Sequence, residues 1–300
     1  MFTALIADLK RSQKLFMDET RAPVLDPKAG KTKTGYLWAL ARDDRPWGGA
    51  APPGVAFTYA PGRSGQYADT ILQGFTGILQ APSLGLQSNH CRATDGYAGY
   101  NRLIQSERTG PTIQLAYCWA HARRKLFEVA RNSTAPIAED GLTRIAELYK
   151  IEAEVRGSAH EARLAIRQNQ SAPKIADFEA WLTLNRARVS AKSPLGEALK
   201  YIAKYWIGLR LFLADGRIEM DNNTVERTIR PIALSRKNAL FAGHDAGAEN
   251  WATIASLIET CKLNAIEPHA YLTQTLRAIV NGHKQSQIDG LLPWNYAAKV

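Results

Sequence analysis

The stretch KLFMDETRAPVL, residues 14–25, contains the residues that decide the fold. It follows Phe2–Leu9, where apolar side chains recur at helical spacing, and it changes the pattern to a run suited to a strand. Similar runs follow at residues 36–41 and 55–60, separated by the turn-rich sequences DPKAG and DDRPWGGAAPPG. Three successive strands with compact connections predict an antiparallel meander.

The next part of the chain alternates between helical and strand-like segments. The pattern predicts helices over residues 66–73 and 97–106, and strands over residues 75–80 and 112–119. Strands separated by helices are typical of parallel neighbours joined by crossovers. The sequence therefore predicts an α/β protein with a mixed five-stranded sheet flanked by helices.

Residues 123–213 differ in pattern from the preceding part of the chain. Their apolar side chains recur with a period of 3.6 residues, as in amphipathic helices. We expect three parts: a sheet portion at 1–122, an all-helical insert at 123–215 and a helical C-terminal part at 216–300. The insert contains four aromatic residues at helical spacing, for which core packing is favoured over base stacking: Trp181, Tyr201, Tyr205 and Trp206.

The positive net charge of the chain favours a polyanionic partner, and nucleic acid is the first candidate. The chain of 300 residues has 38 Lys and Arg against 28 Asp and Glu, a formal charge of +10. A generally basic protein without such a partner would have the same composition.

Three widely spaced cysteines (Cys91, Cys118 and Cys261) predict no disulfide framework and suit a reducing cytoplasm. The sequence shows no signal-peptide core and no membrane span.

The segment MDNNTVERTIRPIALSRKN, residues 220–238, surrounds one glutamate with cations. Glu226 lies among Arg227, Arg230, Arg236 and Lys237, an arrangement that suits a metal-held phosphodiester. The same letters also fit a capping box, with Asn223 as N-cap and Glu226 three residues on, opening a helix that ends near Pro231.

Two other groups of residues allow more than one interpretation. Cys118 and His121 have a spacing that suits zinc, with His90 and Cys91 as a second pair, but no matching CxxC exists and we discount the site. The neighbouring cations Arg123, Arg124 and Lys125 face either DNA phosphates or solvent.

Isolated acidic residues give weaker signals. Asp18 beside Glu19 reads as a solvated strand residue, and Asp221 as part of a helix entry or as a supporting acid.

Five stretches in order resemble the insertion sequence 66 family of bacterial transposases: DETRAPVLDPKAGKTKTGYLWALARDDRPW, DGYAGYNRL, CWAHARRKLFE, DNNTVERTIRPIALSRKNALFAGH and LIETCKLNAIEPHAYL. The resemblance implies an RNase H-like core whose last catalytic helix follows the insert. It also implies a DDE triad, which position by position is Asp18, Asp95 and Glu226. These residues would bind two Mg²⁺ ions, with Mn²⁺ as a substitute, for cleavage and strand transfer of transposon DNA ends.

The family also implies a setting for the protein. We expect transposon and target DNA as partners, a homo-oligomer that holds two DNA ends, accessory proteins of the same element, and a bacterial cytoplasm with nucleoid association on DNA.

The chain departs from the family pattern in two places. About twelve extra residues, roughly 82–93, precede Asp95, so that either they loop out while Ala93 and Thr94 complete the strand, or the site is broken. An N-terminal region with a cysteine-rich segment, which relatives have, does not precede Met1. The alternative is therefore a truncated, inactive remnant that only binds DNA non-specifically. A hydrolase of small phosphoesters ranks last, because no glycine-rich phosphate loop accompanies the acids.

Overall fold

The structure is a computed structural model that describes residues 1–26, 28–82, 112–132 and 134–296. Its strands are β1 (Lys14–Asp26), β2 (Lys31–Arg42), β3 (Gly54–Ala60), β4 (Gly77–Ala81) and β5 (Ile113–Tyr117). Its helices are α1 (Phe2–Leu9), α2 (Gly65–Ile71), α3 (Trp119–Asn132), α4 (Pro136–Val155), α5 (His160–Ile166), α6 (Ala172–Arg188), α7 (Pro194–Lys204), α8 (Trp206–Arg210), α9 (Asn223–Ala239), α10 (Asp245–Leu263) and α11 (Pro268–Val280). A π-helical segment, Arg167–Ser171, joins α5 to α6, and short 3₁₀ turns lie at 45–47, 211–213, 285–291 and 293–295.

The five strands form one mixed sheet in the order β3-β2-β1-β4-β5. The first three strands are the predicted antiparallel meander, and β1, β4 and β5 are the predicted parallel neighbours. The α/β class and the mixed sheet flanked by helices are therefore confirmed.

Some element boundaries differ from the sequence prediction. The second strand begins at Lys31 and is longer than predicted, whereas the fifth ends at Tyr117. The prediction of strand through Trp119 was wrong, because Trp119 begins helix α3. The helix predicted at 97–106 lies outside the described residues, and the three-part division of the chain stays a prediction.

Alternate residues of β1 face two different cores. Leu15 and Met17 belong to the larger core, on the face that packs against α1 and the insert. Phe16 belongs to the smaller core, which α9 and α10 cover through residues such as Val225 and Ala252. Because side chains alternate along a strand, Asp18 shares the face of Phe16 and points towards α9.

Hydroxyl groups of α10 bind the backbone of β3 along the outer edge of the sheet. Ser256 Oγ accepts a hydrogen bond from the Phe57 N–H at 2.8 Å, and Thr260 Oγ1 accepts one from the Val55 N–H at 3.1 Å. Thr260 also donates to the Val55 carbonyl at 3.0 Å. These bonds satisfy an edge strand that would otherwise present open backbone groups.

A buried group of charges joins the helical insert to the sheet. We call Glu152, Arg163, Arg167 and Glu219 the insert cluster. Arg167 makes two bonds of 2.7 Å to the Glu152 carboxylate and donates to the carbonyls of Phe212, Asp215 and Ile218. Arg163 binds Glu219 at 2.7 Å and Glu152 at 3.3 Å. The paired charges hold the chain that leads from the insert to α9.

The aromatic residues of the insert pack in the core, as predicted. Trp181, Tyr205 and Trp206 are buried, and Tyr201 packs against them from a half-buried position. Within the part of the chain that the structure describes, every helix is too short or too polar to cross a membrane.

Candidate active site

Asp18 lies on β1 just beyond its pairing with β4. The parallel β1–β4 pairs run from Lys14 to Phe16, so Asp18 is two residues past the last of them. Its side chain is only 8% exposed, which makes the interpretation as a solvated strand residue wrong. Glu19 points to the opposite face and pairs with Arg63 at 2.5 Å. Of the two neighbouring acids, Asp18 is therefore the one that faces α9.

The segment that leads into α9 crosses the carboxyl ends of the parallel strands. The buried Gln80 side chain of β4 donates to the carbonyls of Glu219 and Asp221 at 2.7 and 2.6 Å, and accepts from the Glu219 N–H at 3.1 Å. Beyond β5, the Trp119 N–H donates to the Met220 carbonyl at 2.8 Å. These bonds fix where α9 begins relative to Asp18.

Asn222 joins three elements at this point. It is fully buried, its amide donates to the Met17 carbonyl at 3.4 Å, and its backbone N–H donates to Cys118 Sγ at 3.3 Å. The start of α9 is thus tied to β1 directly before Asp18 and to the end of β5.

Glu226 lies in the first turn of α9. The predicted capping box was wrong: Asn222 is the N-cap residue without a side-chain cap bond, and Asp221 Oδ1 instead accepts from the Asn223 N–H at 3.1 Å. Within the described residues, no hydrogen bond to the Glu226 carboxylate is present, so this group is free to bind a ligand.

Helix α9 continues through Pro231 to Ala239, so the predicted end near Pro231 was wrong. An internal proline costs a helix about 3 kcal/mol. Burial of the stripe Val225, Ile229 and Ile232 on the sheet outweighs that cost, because each such side chain contributes about 1.5–3 kcal/mol.

Asp18, Asp221 and Glu226 form what we call the acidic cluster. Burial raises the pKa of Asp18 well above its usual value, and the nearby carboxylates of Glu19 and Glu226 raise it further. Burial also raises the pKa of Glu226 and of Asp221, with Asp221 adding to the effect on Glu226 and Glu219 to that on Asp221. Nearby arginines only partly offset these effects, since the pKa of each acid remains raised, and oxygen ligands of this kind fit a hard divalent cation such as Mg²⁺.

A groove of about 450 Å³ contains Asp18 and Glu226 together with cations of α9. Arg227 and Arg230 are exposed on its wall, whereas Arg236 is half buried and donates to the Arg21 carbonyl at 2.5 Å. The structure therefore brings together two of the three predicted catalytic acids and three of the predicted DNA-binding cations. Asp95, the residues 83–93 before it and the side chain of Lys237 lie outside the described residues.

The three cations of α3 have different surroundings. Arg124 acts electrostatically on Glu226 and lowers its pKa, opposing the effect of burial. Arg123 lies over the Phe127 ring and Lys125 over the Tyr201 ring. Of the three, Arg124 is the one coupled to the acidic cluster.

Cys118 and His121, whose spacing alone was discounted as a zinc site, lie beside Glu226. One ligand atom from each of the three residues lies within 4.8 Å of the others. Burial raises the pKa of the Cys118 thiol to about 12, and burial near Arg124 and Lys125 lowers the pKa of His121 to about 4. Without a ligand the pair is thus a thiol and a neutral imidazole.

Sequence reasoning missed three residues of this region: Gln80, Asn222 and Tyr149. Gln80 and Asn222 hold the segment before α9. Burial raises the pKa of Tyr149 of α4, and the nearby Cys118 and Asp221 raise it further. The alternation of β1 and β4 could have placed Gln80 on the face of Asp18. Nothing local in the sequence marks Tyr149.

Two family models match the chain, and together they cover most of its length. The family model described as "Transposase IS66 family" matches residues 1–250, and that of the "IS66 C-terminal element" matches residues 256–294. The chain is therefore of the transposase class. It belongs to the IS66 family.

Three similar relatives come from Sinorhizobium fredii (strain NBRC 101917 / NGR234), and each is described as an uncharacterized protein. The protein y4qI is 42% identical over 97% of this chain and 52% of its own length. The protein y4jD is 40% identical over 99% and 56%, and y4hP is 36% identical over 99% and 53%. The chain thus spans about half the length of the curated relatives it matches.

Proposed function

We propose that this chain is the catalytic part of a DDE-type transposase with an RNase H-like core, which cleaves transposon DNA ends and joins them to target DNA. One observation carries the proposal. Asp18 and Glu226, far apart in sequence, share one groove with arginines of α9. The adjacent parallel strands β1 and β4 also support it, since the resemblance requires the first and fourth strands to be neighbours.

In this proposal Asp18, Asp95 and Glu226 hold two Mg²⁺ ions, or Mn²⁺ in their place. When bound, such a pair activates the attacking oxygen and stabilises the leaving oxygen of an in-line displacement at phosphorus. The protein contributes orientation: β1 fixes Asp18, while Gln80 and Asn222 fix the start of the helix that bears Glu226. The raised pKa values of both acids fit residues whose charge is compensated by a cation.

The cations along the groove hold the DNA backbone. Arg227 and Arg230 are exposed beside the acids and available to bind phosphate oxygens through paired hydrogen bonds. Arg236, bound to the β1 backbone, orients the groove wall and adds positive charge. Arg124 approaches Glu226 from α3, whereas Arg123, Lys125 and Lys237 extend the basic surface as sequence-based predictions.

Cleavage of branched and end-bearing DNA in the presence of Mn²⁺ or Mg²⁺ tests the proposal. The chain is expected to produce nicks and joined strands, and Asp18→Asn and Glu226→Gln each to reduce the rate by about 10³-fold or more. Asp140→Asn makes the same chemical change on the exposed face of α4 and is expected to leave the rate unchanged.

Two outcomes would contradict the proposal. Activity that survives Glu226→Gln would remove Glu226 from the catalytic set. Salt-sensitive DNA binding without any metal-dependent cleavage by the unaltered chain would favour the non-specific DNA-binding remnant instead.

The partners follow from the reaction. Joining both ends of an element requires two active sites held together, and a homo-oligomer provides them. Accessory proteins of the same element are further partners that the family resemblance suggests.

A further inference from the structure

We propose that Cys118, His121 and Glu226 form a separate site for a borderline divalent cation of the Zn²⁺ type, which adjoins the acidic cluster and shares Glu226 with it. The inference stands apart from the proposed DNA chemistry, because it concerns metal binding by the chain alone. It revises the interpretation of the Cys118–His121 spacing, which by itself was discounted as a zinc site.

The geometry of the three side chains carries the proposal. Cys118 directly precedes α3, His121 lies in its first turn, and Glu226 approaches from the first turn of α9. One ligand atom of each lies within 4.8 Å of the other two. Zinc bonds of about 2.0–2.3 Å place tetrahedral ligand atoms roughly 3.3–3.8 Å apart. Closing that difference requires only a small side-chain movement, and the Glu226 carboxylate is free of hydrogen bonds to the described residues.

The donor set favours a softer ion than the one proposed for the acidic cluster. Sulfur and imidazole nitrogen select Zn²⁺ and similar transition metals, whereas Mg²⁺ prefers oxygen. A set of three protein ligands leaves a fourth position open, as in zinc sites that admit water or substrate. The acidic cluster, in contrast, offers carboxylate oxygens alone.

The surroundings of the three ligands also fit a metal site. The Asn222 N–H donates to Cys118 Sγ at 3.3 Å, which is the kind of outer contact that orients a ligand. Three polar atoms nearby are buried and, within the described residues, have no hydrogen-bond partner: His121 Nδ1, Tyr149 Oη and Asn222 Oδ1. Buried polar groups without partners are costly, and a bound ion with its water would satisfy groups at this position.

Because this cation site shares Glu226 with the acidic cluster, an ion bound here would affect that cluster. One carboxylate oxygen bound to this ion would fix the orientation of Glu226 and leave the other oxygen directed at the acidic cluster. A cation here therefore acts as a positioning element for Glu226.

Titration of the metal-free chain with Co²⁺, a spectroscopic substitute for Zn²⁺, tests the proposal directly. We expect one equivalent to bind with the charge-transfer absorption of a thiolate ligand, and Zn²⁺ to displace it. Cys118→Ser is expected to abolish this absorption. Cys261→Ser, which alters another buried free cysteine, and Cys91→Ser are the matched controls and should retain it. His121→Gln keeps the thiol and should raise the Kd for Co²⁺ at least about tenfold.

The outcomes separate this site from the DNA chemistry. Absence of the absorption in the unaltered chain, or its loss in Cys91→Ser with retention in Cys118→Ser, would overturn the proposal. Where Cys118→Ser fails to fold, as judged by circular dichroism, His121→Gln decides: unchanged Co²⁺ affinity overturns the site. Asp18→Asn should keep the absorption. A chain that cuts DNA without binding Co²⁺ through sulfur refutes this inference alone, and one that binds Co²⁺ but cuts no DNA refutes the proposed function alone.

Discussion

The insert cluster and the acidic cluster are both groups of buried and half-buried charges, but they differ in balance. The insert cluster combines two arginines with two glutamates, and the Arg167 guanidinium also donates to three backbone carbonyls. The acidic cluster combines three carboxylates, and the pKa of each is raised. By contrast, burial of Glu219 in the insert cluster is outweighed by the positive charges of Lys14 and Arg163, and its pKa is lowered.

This difference separates a structural role from a functional one. A balanced buried cluster holds its elements in place, because removal of one partner leaves an uncompensated charge. An unbalanced one destabilises the fold unless something outside the chain supplies the missing charge. This imbalance is the reason for proposing that the acidic cluster binds a cation.

Breaking the balance of the insert cluster should have the largest effect. Arg167→Met leaves Glu152, among the described residues, with its 3.3 Å contact to Arg163 alone and should lower the free energy of unfolding by about 3–5 kcal/mol. Urea denaturation measures the change. Arg210→Met, at a half-exposed pair with Glu179, is the control and should show little change. Adding Glu152→Leu to Arg167→Met should restore part of the loss; a double variant as unstable as the sum of the singles would contradict charge balance as the cause.

Gln80 connects the two clusters, since its side chain binds Glu219 of one and the Asp221 backbone of the other. Gln80→Met removes these bonds to buried and part-buried backbone groups and should cost about 2–3 kcal/mol in the free energy of unfolding. Gln114→Met on the neighbouring strand β5 alters an exposed side chain and should cost little. Equal stability of the two variants in thermal denaturation would show that Gln80 does not hold this segment.

Neutralising the acidic cluster should have the opposite sign. Asp18→Asn keeps the shape and the hydrogen bond from the Glu19 N–H but removes a buried charge beside Glu226. We expect the metal-free variant to gain roughly 0.5–2 kcal/mol in the free energy of unfolding, a size common for changes that relieve a functional site. A loss of stability would mean that the carboxylate of Asp18 is compensated within the chain.

Much of the fold could be predicted from the sequence, because the signals are local. The strand patterns around Phe16 and Phe57 gave the meander, and the alternation of strands and helices gave the parallel pairs. The helix end predicted near Pro231 was wrong, because burial of the apolar stripe of α9 on the sheet outweighs the tendency of proline to end a helix. The end of the fifth strand was misjudged because Trp119, apolar and buried, suits strand and helix equally.

The candidate site was less predictable, because it depends on convergence. Asp18 and Glu226 were proposed as site residues from the family resemblance. Their local sequence alone favoured a solvated strand residue for Asp18 and a helix-capping role for Glu226. Gln80 and Asn222 act through bonds to backbone groups of distant segments, which no spacing reveals. Arg163 and Arg167 resemble ordinary helix surface residues until Glu152 and Glu219 are seen to pair with them.

The dependence of stability on Mg²⁺ tests most directly whether the acidic cluster is built to bind a cation. At about 100 times the Kd, binding to the folded state should raise the free energy of unfolding by about 2.7 kcal/mol. We predict this rise, measured by thermal denaturation, for the unaltered chain and for Cys118→Ser, and its loss in Asp18→Asn and Glu226→Gln. An equal rise in all four proteins, or none in the unaltered chain, would contradict the assignment.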